Sequence, residues 1–123
     1  MPKLLIVEDE EPLREMLKEF LEDNADFKVV VATDRKSAVA ALEEHQPAGM
    51  LLDVMLPTKP DGLEVLAAAR KLSPRTKTIM VTGTLDLDTI QCAKALGAID
   101  YITKPFTLDY LERTLKQKIA QCL

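Results

Sequence analysis

Four short apolar runs in this chain each stop at a polar residue, and that repetition restricts the fold more than any other feature. Leu4-Leu5-Ile6-Val7 stops at Glu8-Asp9, Met50-Leu51-Leu52 at Asp53, Ile79-Met80-Val81 at Thr82, and residues 99–102 lead to Lys104-Pro105. Continuous apolar runs of this length suit strands buried on both faces, as in a parallel sheet covered by helices. The segments between them have helical periodicity: Leu13, Met16, Leu17, Phe20 and Leu21 recur at i, i+3, i+4, i+7 and i+8.

The alternation continues along the chain. A strand over 3–8 is followed by a helix over 11–23, with Pro12 in its first turn. A β-branched run at Val29–Val31 precedes a helix capped by Asp34, which carries Ala38, Ala41 and Leu42 and ends before Pro47. A strand over 49–53 leads to a helix over 62–72, and a strand over 78–82 to a helix over 86–96 that Gly97 closes as a left-handed cap. A strand over 98–102 precedes a last helix, capped by Thr107 and carrying Leu108, Leu111, Leu115 and Ile119.

The pattern is (βα)5, read as one domain over residues 1–123. Strands joined by single helices are parallel with right-handed crossovers. The expected architecture is α/β, a flavodoxin-like doubly wound fold whose five strands lie in the order 2-1-3-4-5 with helices on both faces. Ligands of such folds bind at the C-terminal ends of the strands, where the strand order reverses. Glu8-Asp9 and Asp53 end the two strands that flank that point.

Acidic groups converging on one edge repel one another, so the set predicts a hard cation among them. It also predicts an anion between that cation, Thr82 and Lys104, and a phosphoryl group suits the space. Mg²⁺ takes near-octahedral oxygen ligation from one or two carboxylates, water and phosphate oxygens, and Mn²⁺ suits the same donors. Asp9 and Asp53 are the expected direct ligands, with Glu8 holding the ion through water.

Composition excludes several other classes. The net charge is −4 and aromatic residues are 4% without Trp, which offers neither a basic footprint nor a stacking platform for nucleic acid. The apolar runs are too short to span a bilayer, and Leu4 comes too early to leave room for a signal peptide. Cys92 and Cys122 lack metal-type spacing and read as reduced thiols of a cytoplasmic protein.

Together, Val7-Glu8-Asp9-Glu10, Leu52-Asp53-x-x-Leu56-Pro57, Asp61-Gly62-Leu63-Glu64, Val81-Thr82-Gly83 and Gly97-Ala98-x-Asp100-Tyr101-x-x-Lys104-Pro105-Phe106 resemble a bacterial response-regulator receiver domain. Each motif alone is weak; their order and their placement at strand ends make the resemblance specific. It implies a two-component signalling switch rather than an enzyme with a separate substrate. A histidine kinase or phosphotransfer protein would give a phosphoryl group to Asp53, and an output domain or target protein would read the result.

The resemblance further implies that the backbone carbonyl of Met55 is a third metal ligand. Thr82 and Lys104 would hold the phosphoryl oxygens, and Tyr101 would be a rotating switch residue. Pro105 makes the Lys104 peptide a candidate cis bond. Met55 and Thr84 stand where family members control water access to the acyl phosphate, so an apolar Met55 predicts a long-lived phosphorylated state.

Two departures stand out. Gly62 lies one residue farther from Asp53 than members of that family usually place it, as if Thr58-Lys59-Pro60 held an insertion. Ile90, Ala95 and Ile99 replace charges that one transcription-factor subclass uses to dimerise through its fourth helix, fifth strand and last helix. Thr82-Gly83 and Asp86 look more like receivers of enhancer-binding activators or hybrid kinases.

Other readings exist for single residues. The acidic trio Glu8-Asp9-Glu10 could be a solvated loop at a helix N-terminus, where negative charge is favoured. Tyr101 also suits a half-buried core position, and His45 suits the surface. A Mg²⁺-dependent aspartate phosphatase needs a second acid where Met55 stands, and a flavodoxin needs a Ser/Thr/Gly-rich loop after the first strand. A degenerate receiver that only binds partners is the remaining rival.

Overall fold

The computed structural model describes residues 2–24, 27–54, 61–83 and 87–122. Strands and helices alternate from end to end: β1 (Lys3–Val7), α1 (Glu11–Asn24), β2 (Lys28–Ala32), α2 (Arg35–His45), β3 (Gly49–Asp53), α3 (Asp61–Leu72), β4 (Lys77–Thr82), α4 (Leu87–Ala95) and β5 (Ala98–Thr103). The last helix, α5, joins Leu108–Tyr110, a π-helical turn at Leu111–Leu115, and Lys116–Cys122.

The five strands form one parallel sheet in the order β2-β1-β3-β4-β5, as the alternation predicts. Side chains of β1 divide between its faces as the pleat dictates. Leu4 and Ile6 pack with Leu17, Phe20 and Leu21 of α1 and with Leu111, Leu115 and Ile119 of α5. Leu5 and Val7 pack on the other face with Ala38 and Leu42 of α2, Val65 and Leu66 of α3, and Ala93 of α4. Residues of β3 and β4 contribute to both layers, so the centre of the sheet is dry on each side and its register is fixed.

Local chemistry sets the helix ends. Asp34 accepts from the Ser37 amide at 2.8 Å while Ser37 Oγ accepts from the Asp34 amide at 3.2 Å, a reciprocal cap that starts α2. Gly97 adopts φ 109°, the left-handed conformation expected of a glycine closing α4. Gln46 takes the equivalent position after α2 with φ 45°.

Three details differ from expectation. Strand and helix ends move by a residue or so, as hydrogen-bonded ends commonly do. The π turn in α5 has no counterpart in the periodicity, because Leu111 and Leu115 are spaced as in an ordinary helix. His45 is half-buried rather than a surface residue, since Lys3 Nζ reaches its Nδ1 at 3.1 Å across the bottom of the sheet.

Candidate functional site

Register brings the polar strand ends to one level. Val7 pairs with Leu52, so Glu8 and Asp53 leave neighbouring strands side by side. Thr82 lies one residue past the partner of Asp53 on β4, and opposite Thr103 on β5. Lys104 continues from Thr103, and its amide donates to the Thr82 carbonyl at 2.8 Å. The Lys104-Pro105 peptide is cis.

Glu8 and Asp53 are 1% and 5% exposed, and Thr82 is buried behind them. Asp9 is half-buried. Carboxylate oxygens of Glu8, Asp9 and Asp53 all lie within 4.8 Å of one another. Lys104 Nζ is 2.8 Å from Glu8 Oε1, 2.9 Å from Asp53 Oδ2 and 3.9 Å from Glu10 Oε1. One ammonium therefore spans two buried acids contributed by different strands.

Burial pushes the Glu8 carboxyl up, to about 8, and its hydrogen bond to Asp53 adds to the shift; the ammonium offsets only part of it. For Lys104, burial alone would lower the ammonium, but the hydrogen bonds to Glu8 and Asp53 outweigh it and hold the pKa above its ordinary value. The edge carries more negative charge than one lysine balances.

A hard divalent cation fits this donor set. All three acids offer oxygen and lie close enough to share one ion, with the Lys104 ammonium alongside at 2.8 Å from Glu8 Oε1. Met55, the expected carbonyl ligand, lies outside the described residues, as do Thr84, Asp86 and the segment Thr58–Pro60.

Two residues shape the loops around the acids. Arg14 Nη1 donates to the carbonyls of Glu8 at 3.1 Å and Asp9 at 3.4 Å, tying the acidic turn to α1. Its signal in the sequence is only an arginine one turn beyond the acidic trio. Gly62 packs on the backbone that follows β3: a Cβ there would overlap the Asp53 carbonyl oxygen and approach Val54 Cα and O at 2.7 Å. No side chain fits at that crossing.

Tyr101 is half-buried against the α2–α4 layer, with Lys94 Nζ 5.8 Å from its ring centroid. A cavity of about 10 Å³ separates it from Thr82, Ile90 and Ala93. Cys92 is a free, exposed thiol on α4.

Fold and site together define an α/β protein with an acidic, lysine-bridged ligand edge. The family model described as the response regulator receiver domain matches residues 4–116, and the chain belongs to that family. It is 31% identical over 115 residues to a C4-dicarboxylate response regulator, DctR, of Priestia megaterium, covering 93% of this chain and 50% of that protein. It is 33% identical over 125 residues to the transcriptional regulatory protein MalR of Bacillus subtilis, covering 97% and 53%. The chain thus spans about half the length of these relatives. A CheY-like receiver domain from Methanospirillum hungatei superposes with a TM-score of 0.85 at 31% identity, over 98% of this chain and 95% of that one. Among the described residues no helix is long and apolar enough to cross a membrane.

Proposed function

We propose that this receiver domain accepts a phosphoryl group on Asp53 from a partner's phosphohistidine, with Mg²⁺, and that the modified edge alters the α4-β5-α5 face. The observation that carries this reading is the ammonium of Lys104 seated on Asp53 within the acidic cluster. Such a set can hold both a cation and a phosphoryl group at one carboxylate.

The ion, held by Asp9 and Asp53 with Glu8 behind them, would supply charge neutralisation and orientation for the incoming group. A carboxylate oxygen of Asp53 attacks phosphorus; the new O–P bond forms as the P–N bond to the donor imidazole breaks, and the imidazole leaves with the electron pair. Lys104, now 2.9 Å from Asp53 Oδ2, is placed to transfer its hydrogen bond to a phosphoryl oxygen. Thr82, one residue farther along the adjacent strand, supplies a hydroxyl to another.

The switch would run from Thr82 to Tyr101. The cavity between them is about 10 Å³, too small for a phenol ring, so inward rotation of Tyr101 requires α4 to move. That ties a change at Asp53 to an outer face bearing exposed Leu87, Ile99 and Leu108. An output domain, a target protein or a second copy of the chain would dock there. The likeness to the transcriptional regulatory protein MalR makes transcriptional output the favoured case.

Incubation with acetyl phosphate and Mg²⁺, followed by intact-mass measurement, tests the reading. We expect one phosphoryl adduct on the wild type, none after chelation of Mg²⁺, and none on Asp53→Asn. Failure of the wild type to take up phosphate from either acetyl phosphate or a phosphohistidine donor would leave the domain a partner-binding module instead.

A further inference from the structure

The opposite end of the sheet has the reverse charge. Three of the five strands begin with lysine: Lys3 on β1, Lys28 on β2 and Lys77 on β4, and Lys3 and Lys28 are register partners. Arg75 lies in the turn before β4, and His45 ends α2. An open cavity of about 480 Å³ is lined by Lys3, His45, Gln46, Arg75 and Lys77. This concentration of cations occurs in a chain whose net charge is −4.

Two ordinary explanations for such cations do not apply. Basic residues often cap helix C-termini, but here Gln46 does that work. Its side-chain amide donates to the carbonyls of Leu42 at 3.0 Å and Leu72 at 2.7 Å, and its backbone amide also donates to Leu42. Surface cations also commonly pair with acids. Among the described residues no carboxylate pairs with Lys3, Arg75 or Lys77, and the nearby Glu44 lies 3.7 Å from His45 Nε2. Lys3 instead donates to an imidazole nitrogen, which leaves its charge uncancelled.

We propose that this cavity is a binding site for small free oligophosphates, separate from the phosphoacceptor edge. Lys3 on one segment and Arg75 and Lys77 on another can together bridge a ligand with several charges, which a single monovalent anion does not exploit. The volume is in the range of small-ligand sites and leaves room for a diphosphate with bridging water. Asp53 lies at the far end of the strands, roughly 16 Å away along the rise of a five-residue strand.

A titration of ¹⁵N-labelled protein with inorganic pyrophosphate tests the proposal, in Mg²⁺-free buffer at constant ionic strength. Saturable shifts of the Lys3, Gln46, Ala48 and Lys77 amides are expected, with Asp53 and Thr82 unmoved. The double variant Arg75→Gln/Lys77→Gln changes only exposed side chains, and its affinity is expected to fall by about tenfold or more, the scale of losing charge-assisted hydrogen bonds. Linear, non-saturating shifts, shifts centred on Lys104, or unchanged affinity in the double variant would each overturn it. Pyrophosphate binding that an equal ionic strength of chloride abolishes would also overturn it, as diffuse attraction to a basic surface.

Discussion

Removing the Lys104 ammonium leaves Glu8 and Asp53 facing each other at 1% and 5% exposure. Breaking a buried ion pair on one side typically costs about 3–5 kcal/mol, and Lys104 is itself slightly exposed, which softens the loss. Lys104→Met is therefore expected to lose about 2–4 kcal/mol in Mg²⁺-free buffer. It should also gain more from added Mg²⁺ than the wild type does, because a competing cation has gone. Urea unfolding with and without Mg²⁺ reads both effects; equal metal-free stability would contradict this account of the pair. Gly62→Ala acts on the same centre through the backbone. Its Cβ meets the Asp53 carbonyl and Val54, neither of which can yield like a side chain. A loss of about 1–3 kcal/mol is expected, the usual scale of overpacking. Slower phosphorylation should accompany it, since the displaced segment carries Asp53.

β5 and α5 are joined by an ion pair, Lys118 Nζ to Asp100 Oδ2 at 2.6 Å, with both side chains partly covered. Burial alone would raise the Asp100 carboxyl, but Lys118 and the Tyr101 amide outweigh it and hold the pKa below the ordinary carboxylate value. A depressed pKa stabilises the fold above the unfolded value of about 3.9, and that stability is lost as pH falls through the lower folded value. Lys118→Gln should thus cost about 0.5–1 kcal/mol at neutral pH, and the gap to the wild type should close on acidification below about pH 4. A gap independent of pH, read from urea midpoints, would show that Lys118 acts through packing alone. Elements were legible in the sequence wherever periodicity was strong: the apolar run of β1 and the i, i+4 stripe of α1 each admit one conformation. The π turn was not, because its leucines keep helical spacing. The Lys3–His45 contact was not either, since it joins residues 42 apart in the chain.

At the scale of the molecule, the parallel sheet separates charge: acids collect at the C-terminal strand ends and lysines at the N-terminal ends. The acidic edge was legible because strand direction and the position of the order reversal follow from the βα alternation alone. What the sequence did not reveal is that Lys104 contacts Glu8 as closely as Asp53, since this depends on how three side chains pack between strand ends. The basic edge was illegible because lysines at strand starts look like solvated residues. Mg²⁺ should raise the unfolding temperature of the wild type by filling the acidic edge, and the shift should shrink strongly in Asp9→Asn. A shift of equal size in that variant would place the ion elsewhere. The central claim, that Asp53 receives the phosphoryl group, is tested most directly by trapping the adduct. Borohydride reduces an acyl phosphate to an alcohol, so peptide sequencing of protein treated with donor, Mg²⁺ and borohydride should read homoserine at position 53 and aspartate at position 9. Homoserine at position 9, or at neither position in protein that has demonstrably taken up phosphate, would contradict it.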